Sequence, residues 1–172
     1  HGFFATAGPL VFAHRGGSAL APENTMAAFE RAVALGSDGV ELDVRASSDG
    51  RVVVHHDSTL DRTTTLRGAV KARTAEELAA VNVPALRDVL HVCRDRRVII
   101  EIKVNEAAFG RLVVDEVRRA KMVEQVLEEI AYTLAKGDSV KLSSFGIFHV
   151  RDKAELTAAL AAGRTRLRPV LM

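Results

Sequence analysis

The sequence predicts an α/β fold, a partial or truncated TIM-type (β/α) barrel of about six strands. The chain up to Val44 reads strand, helix, strand, the βαβ order that builds parallel sheets. Polar residues then gather near the ends of otherwise apolar strands: His14, then Glu41 and Asp43, then His56, then Glu101 and Lys103. Barrel enzymes place their chemistry at the C-terminal ends of their strands. Length bounds the prediction, because 172 residues fall short of the roughly 250 of a standard barrel. A single barrel-derived domain over residues 1–172 is expected.

Leu10-Val11-Phe12-Ala13, after Pro9, is a short buried strand. It runs into His14-Arg15-Gly16-Gly17, where two glycines permit close backbone approach to a ligand and a basic pair suits an anion. A plain strand-to-loop turn has the same composition. Pro22-Glu23-Asn24-Thr25 starts a helix capped by Asn24 or Thr25. Phe29, Ala32, Val33 and Leu35 give it an apolar face, and Gly36 ends it.

Strand Gly39–Val44 turns Val40, Leu42 and Val44 one way and Glu41 and Asp43 the other. Two acids on one face of a buried strand repel each other and lose hydration; a cation between them removes that cost. Ser47-Ser48-Asp49-Gly50 is a turn signal before strand Arg51–His56. The connection is too short for a parallel crossover, so it reads as a hairpin. A two-residue turn sets His56 opposite Asp43, and a four-residue loop sets it opposite Glu41. A three-residue loop sets it opposite Leu42, off the acidic face. A solvated edge hairpin with both acids in water is the alternative to a cation site.

Leu60-Asp61-Arg62-Thr63-Thr64 is a polar excursion without a period. Thr74 caps a short helix through Val81, with Glu76 and Glu77 favourable in its first turn. Pro84 precedes a helix to about Cys93, which packs as a small apolar residue. Val98–Lys103 reads as a buried strand with Ile99, Glu101 and Lys103 on one face and Val98, Ile100 and Ile102 on the other. A simple ion pair accounts for Glu101 and Lys103 when that strand is taken alone.

Together Glu41, Asp43 and Glu101 offer oxygen ligands to a hard divalent cation such as Mg²⁺ or Ca²⁺. His14 and His56 suit general acid and general base. Arg15 and Lys103 suit an anionic substrate, most simply a phosphate. Apolar content of 48% and charged content of 27% indicate a globular chain. A net charge of +2 is no argument for nucleic acid or an anionic membrane. Cys93 is alone, which excludes an internal disulfide and a cysteine-based zinc site. No apolar run is long enough to span a bilayer. Gly2–Leu10 lacks the pattern of a signal peptide, so a cytoplasmic location is expected, although a chain that opens on His1 leaves room for an earlier N-terminus.

The motifs His14-Arg15-Gly16-Gly17, Pro22-Glu23-Asn24-Thr25, Glu41-Leu42-Asp43-Val44, Asp49-Gly50, His56-Asp57, Leu60-Asp61-Arg62-Thr63-Thr64 and Glu101-Ile102-Lys103 stand in one order. On them the chain resembles the glycerophosphodiester phosphodiesterases from about Phe12 to Lys103, with similar texture to about Ala120. The resemblance implies a barrel of the PLC-like phosphodiesterase kind that cleaves glycerophosphodiesters into an alcohol and glycerol phosphate. It implies His14 and His56 as the acid/base pair, Glu41, Asp43 and Glu101 as metal ligands, and Arg15 and Lys103 as phosphate contacts. Residues 57–84 resemble a shortened version of the family's small insertion.

Lys121–Ala135 reads as an amphipathic helix with Val123, Val126, Leu127, Ile130 and Leu134 on one face. From there residues 121–153 resemble the HU and integration host factor family, best at Val140–Gly146, Phe148 and Val150–Lys153. The basic arm of that family should follow Lys153; Ala154–Leu160 follows instead, helical in pattern, so no specific nucleic-acid binding is expected. One explanation is a chimera of the two families. The other is a divergent barrel with a fifth strand at Val140–Phe145 and a sixth at Arg166–Met172. That last strand would be an open edge through which the chain could form a homodimer. The expected partner is a small glycerophosphodiester; the alternatives are an inactive barrel fragment and a chimera carrying a DNA-binding remnant.

Overall fold

A computed structural model describes residues 8–135, 140–142 and 146–148. In chain order these form β1 (Phe12–Ala13), α1 (Met26–Ala34), β2 (Gly39–Ala46), β3 (Val52–Val54), α2 (Ala75–Ala79), α3 (Leu86–Val92), β4 (Arg97–Ile102), α4 (Ala107–Ala135), β5 (Val140–Leu142) and β6 (Gly146–Phe148). Two compact units divide between Ala120 and Lys121.

In the first unit β2 is the central strand. β1 pairs with it in parallel at Phe12 and Gly39, completing the expected βαβ unit. β3 pairs antiparallel on the same edge further along, and β4 pairs in parallel along the opposite edge from Gly39 to Val44. The alternation read from the sequence holds in β2: Val40, Leu42 and Val44 are fully buried. They pack with Phe29 and Ala32 of α1, Leu86 and Val89 of α3, and Phe109 and Val113 of α4. Cys93 belongs to this core, and burial pushes its thiol up to about 11.

Thr25 caps α1 by accepting from the Ala28 N–H, one of the donors a helix start leaves unpaired. Thr74 and Glu77 form a reciprocal capping box on α2. Residues 57–84 carry a small core of their own, Leu60, Val70, Leu78 and Val83, closed by Val53 of β3.

Several expectations are corrected. Leu35 lies just past α1 and is 64% exposed rather than part of its apolar face. The hairpin has the three-residue register: Ala46 pairs with Val52, and the Ser47 N–H donates to the Arg51 carbonyl. Gly50, at φ 72°, takes the left-handed conformation that closes this loop. β4 is not buried. Among the described residues its only strand partner is β2, and Ile99 and Ile102 are 37% and 42% exposed.

The helix expected at Lys121 begins at Ala107, where Phe109 and Val113 already bury into the core. In the second unit, the strand expected over Val140–Phe145 is instead β5, paired antiparallel with β6. The strand at Arg166–Met172, the helix after Lys153 and the dimer edge lie outside the described residues.

Candidate active site

β2 carries Glu41 and Asp43 on the face opposite Val40, Leu42 and Val44, and β4 sets Glu101 directly beside Asp43. One carboxylate oxygen from each of Glu41, Asp43 and Glu101 lies within 4.8 Å of the others. Asp43 is 1% exposed. Its Oδ2 accepts from Asn24 Nδ2 at 2.9 Å and lies 3.5 Å from Arg15 Nε. Its Oδ1 has Lys103 Nζ at 3.1 Å but receives no hydrogen bond of acceptable geometry. A buried carboxylate oxygen without a hydrogen bond, beside two further carboxylates, fits a hard cation.

Lys103 also pairs with Glu101. These partners, Glu101 first, raise the Lys103 ammonium above its ordinary value. Within the cluster three carboxylates face two cations, Arg15 and Lys103, leaving one negative charge in excess.

His14 and Arg15 follow β1 in a short 3-10 segment, His14–Gly16, broken by a kink at Arg15. His14 Nε2 lies 3.7 Å from Glu41 Oε2, with the imidazole 66% exposed. Arg15 sits at φ 51°, unusual for a side chain larger than glycine, and its backbone N–H donates to Glu41 Oε2 at 3.1 Å. Its Nη1 donates to Glu23 Oε1 at 3.0 Å. Gly16, expected to admit a ligand, has a packing reason of its own: a Cβ there would come within 2.9 Å of Ala28 Cβ on α1.

His56 is placed differently from either register that aimed it at the acids. β3 ends at Val54, so the sheet no longer sets its direction. Arg45 donates to the His56 carbonyl at 2.9 and 2.7 Å, and His56 Nδ1 meets Asp57 Oδ1 at 2.6 Å. The neighbouring His55 is 4% exposed, with Nε2 3.1 Å from the Thr59 carbonyl; burial lowers its pKa. It is the core histidine of the pair.

The structure thus brings His14, Arg15, Glu41, Asp43, Glu101 and Lys103 together. His56 connects to them through Asp57, Arg62 and Glu23. Arg62 binds both carboxylates: Nε and Nη2 to Asp57 at 2.7 and 3.1 Å, Nη2 and Nη1 to Glu23 at 2.6 and 3.0 Å. Its hydrogen bonds, with the charges of Arg15 and Arg62, hold Glu23 below its ordinary value. Sequence reasoning assigned no site role to Glu23, Asn24, Asp57 or Arg62. They stood in the motifs Pro22–Thr25, His56-Asp57 and Leu60–Thr64 that carry the family resemblance, but those motifs gave no information about which partners the four side chains bind. An open cavity of about 660 Å³ reaches the site only at Glu23 and Asn24; it is lined further by His55, Ala79 and Arg87 but by none of the three clustered acids.

A model of the "Glycerophosphoryl diester phosphodiesterase family" matches residues 14–158. That span runs through residues 121–153, and the comparisons give no support to an HU-like segment or a chimera. A glycerophosphodiester phosphodiesterase of Caldanaerobacter subterraneus is 35% identical, covering 90% of this chain and 65% of its own length. Another from Bacillus altitudinis is 38% identical over 78% of this chain and 57% of its own.

The crystal structure of a glycerophosphodiester phosphodiesterase from Agrobacterium tumefaciens aligns with a TM-score of 0.61 at 37% identity, covering 68% of this chain and 55% of that one. An Oleispira antarctica phosphodiesterase, solved in complex with the product sn-glycerol-3-phosphate, aligns with a TM-score of 0.61 at 30% identity, covering 65% of this chain and 53% of that one. These neighbours are TIM-type barrels, and β1, β2 and β4 form part of such a barrel. The chain spans 65% and 57% of the two curated relatives.

Proposed function

Because the chain belongs to the glycerophosphoryl diester phosphodiesterase family, we propose that its acidic site hydrolyses glycerophosphodiesters to an alcohol and glycerol phosphate. The observation that carries this reading is the convergence of Glu41, Asp43 and Glu101 beside His14, Arg15 and Lys103. A divalent cation held by the three carboxylates, Mg²⁺ or Ca²⁺, would neutralise charge that develops on the phosphate.

Arg15 and Lys103 are the chain's own phosphate contacts. Arg15 presents a planar fork suited to two phosphate oxygens, and Lys103 a point charge. Of the two histidines, one takes the proton from the attacking oxygen as its bond to phosphorus forms; that oxygen belongs either to water, which gives glycerol phosphate directly, or to a neighbouring substrate hydroxyl, which gives a cyclic phosphate that water then opens to glycerol phosphate. The other gives a proton to the alcohol oxygen as the bond from phosphorus to that oxygen breaks. The 66% exposure of the His14 side chain gives a substrate access to it. Glu41 Oε2 lies 3.7 Å from Nε2 of that ring. Asp57 orients the ring of His56.

Hydrolysis of glycerophosphocholine, followed by release of glycerol phosphate with and without a chelator, tests the reading. Turnover that the chelator abolishes and Mg²⁺ or Ca²⁺ restores is expected. A folded chain that releases no product under any of these conditions is the inactive fragment instead.

A further inference from the structure

We propose that Arg62, in the 57–84 insertion, is a positioning residue that clamps the imidazole of His56 and the guanidinium of Arg15 into one frame; this rests on the phosphodiesterase reading above. Four of the five guanidinium N–H groups of Arg62 are committed, two to Asp57 and two to Glu23. Each of those carboxylates holds one further group. Asp57 Oδ1 meets His56 Nδ1, and Glu23 Oε1 accepts from Arg15 Nη1. Arg15 in turn reaches Glu41 through its backbone N–H and Asp43 through its side chain. The result is a continuous chain of charged contacts from Asp43 to His56.

The clamp fixes a protonation state as well as a position. Hydrogen bonds from Arg62 and then His56 hold Asp57 well below the usual carboxylate range, so near neutrality it only accepts. In the neutral ring, His56 Nδ1 must therefore carry the hydrogen, which leaves Nε2 as the basic nitrogen. Arg45 also meets His56, but it binds the backbone carbonyl rather than the ring. A lysine in place of Arg62 offers one point charge and cannot fork onto both carboxylates.

Nitrogen-15 spectra of the histidine rings, recorded without metal, and steady-state hydrolysis of glycerophosphocholine test the clamp together. Wild type is expected to show His56 as a single Nδ1–H tautomer. Arg62→Met is expected to mix the two tautomers, and displacement of reacting groups by about an ångström lowers turnover by about 10²-fold. Arg62→Lys should not restore either readout. An Arg62→Met protein with the wild-type tautomer and wild-type turnover overturns the proposal.

If Arg62→Met does not fold, Glu23→Gln severs only the Arg15 arm. It should raise KM while leaving the His56 tautomer fixed, and an unchanged KM counts against the clamp. A wild type without turnover defeats the phosphodiesterase reading alone; the spectra still decide the clamp, which a mixed-tautomer wild type overturns.

Discussion

Asp43 and Glu101 are direct partners across the parallel pairing of β2 and β4. Their residues are far apart in sequence, yet this register puts both carboxylates on the same face and brings Lys103 to within 3.1 Å of Asp43. A slip of one residue along either strand would turn Glu101 toward the other face, because side chains alternate with period two.

Replacing Glu41 by Gln or Asp43 by Asn is expected to weaken binding of Mg²⁺ or Ca²⁺ by about tenfold or more, since even outer partners of a metal site contribute about 10–100-fold. Isothermal calorimetry on the folded variants measures this directly. Equal binding by wild type and both variants removes these residues from the ligand set.

His14→Ala and His56→Ala are each expected to lower turnover by about 10²–10⁴-fold, the usual contribution of a general acid or base. Neither imidazole fills the core: the His14 and His56 side chains are 66% and 31% exposed. Circular dichroism should therefore match wild type. A variant that keeps full turnover strips that histidine of its role.

Asp57→Asn is expected to lower stability near pH 7 by an amount that shrinks in acid. The folded carboxyl is held below its unfolded value by Arg62 and His56. Its contribution is complete above the unfolded pKa of about 4 and fades as pH falls through the folded pKa. Urea unfolding of both proteins between neutral and acid pH should show the gap closing below about pH 4. A gap that stays constant would mean that the pair with Arg62 does not stabilise the fold.

Phe29→Ala removes a fully buried side chain from the core cluster that also holds Val40 and Leu42. It should cost about 3–5 kcal/mol in urea unfolding. Leu35→Ala, at a position 64% exposed, should change stability by no more than about 0.5 kcal/mol.

Much of this arrangement was legible in the sequence because its causes are local. Alternation in Val40–Val44 separated a core face from an acidic face, since successive side chains on a strand point opposite ways. The helix starts at Asn24 or Thr25 and at Thr74 were readable from capping chemistry within four residues, and the structure places the first cap at Thr25. The motif order from His14 to Lys103 carried the family.

Other features belonged to the tertiary structure. Hairpin register turned on one loop residue, and β3 then ended before His56, so a bond to Asp57 rather than strand pairing orients that ring. The exposure of Ile99 and Ile102 followed from which strands flank β4, which the composition of β4 does not encode. Arg62 looked like one charge in a polar excursion. It became a clamp because folding brought Glu23, thirty-nine positions away, to the same guanidinium as Asp57. Periodicity determines which face a side chain takes, whereas partners across such distances are chosen only when the chain closes on itself.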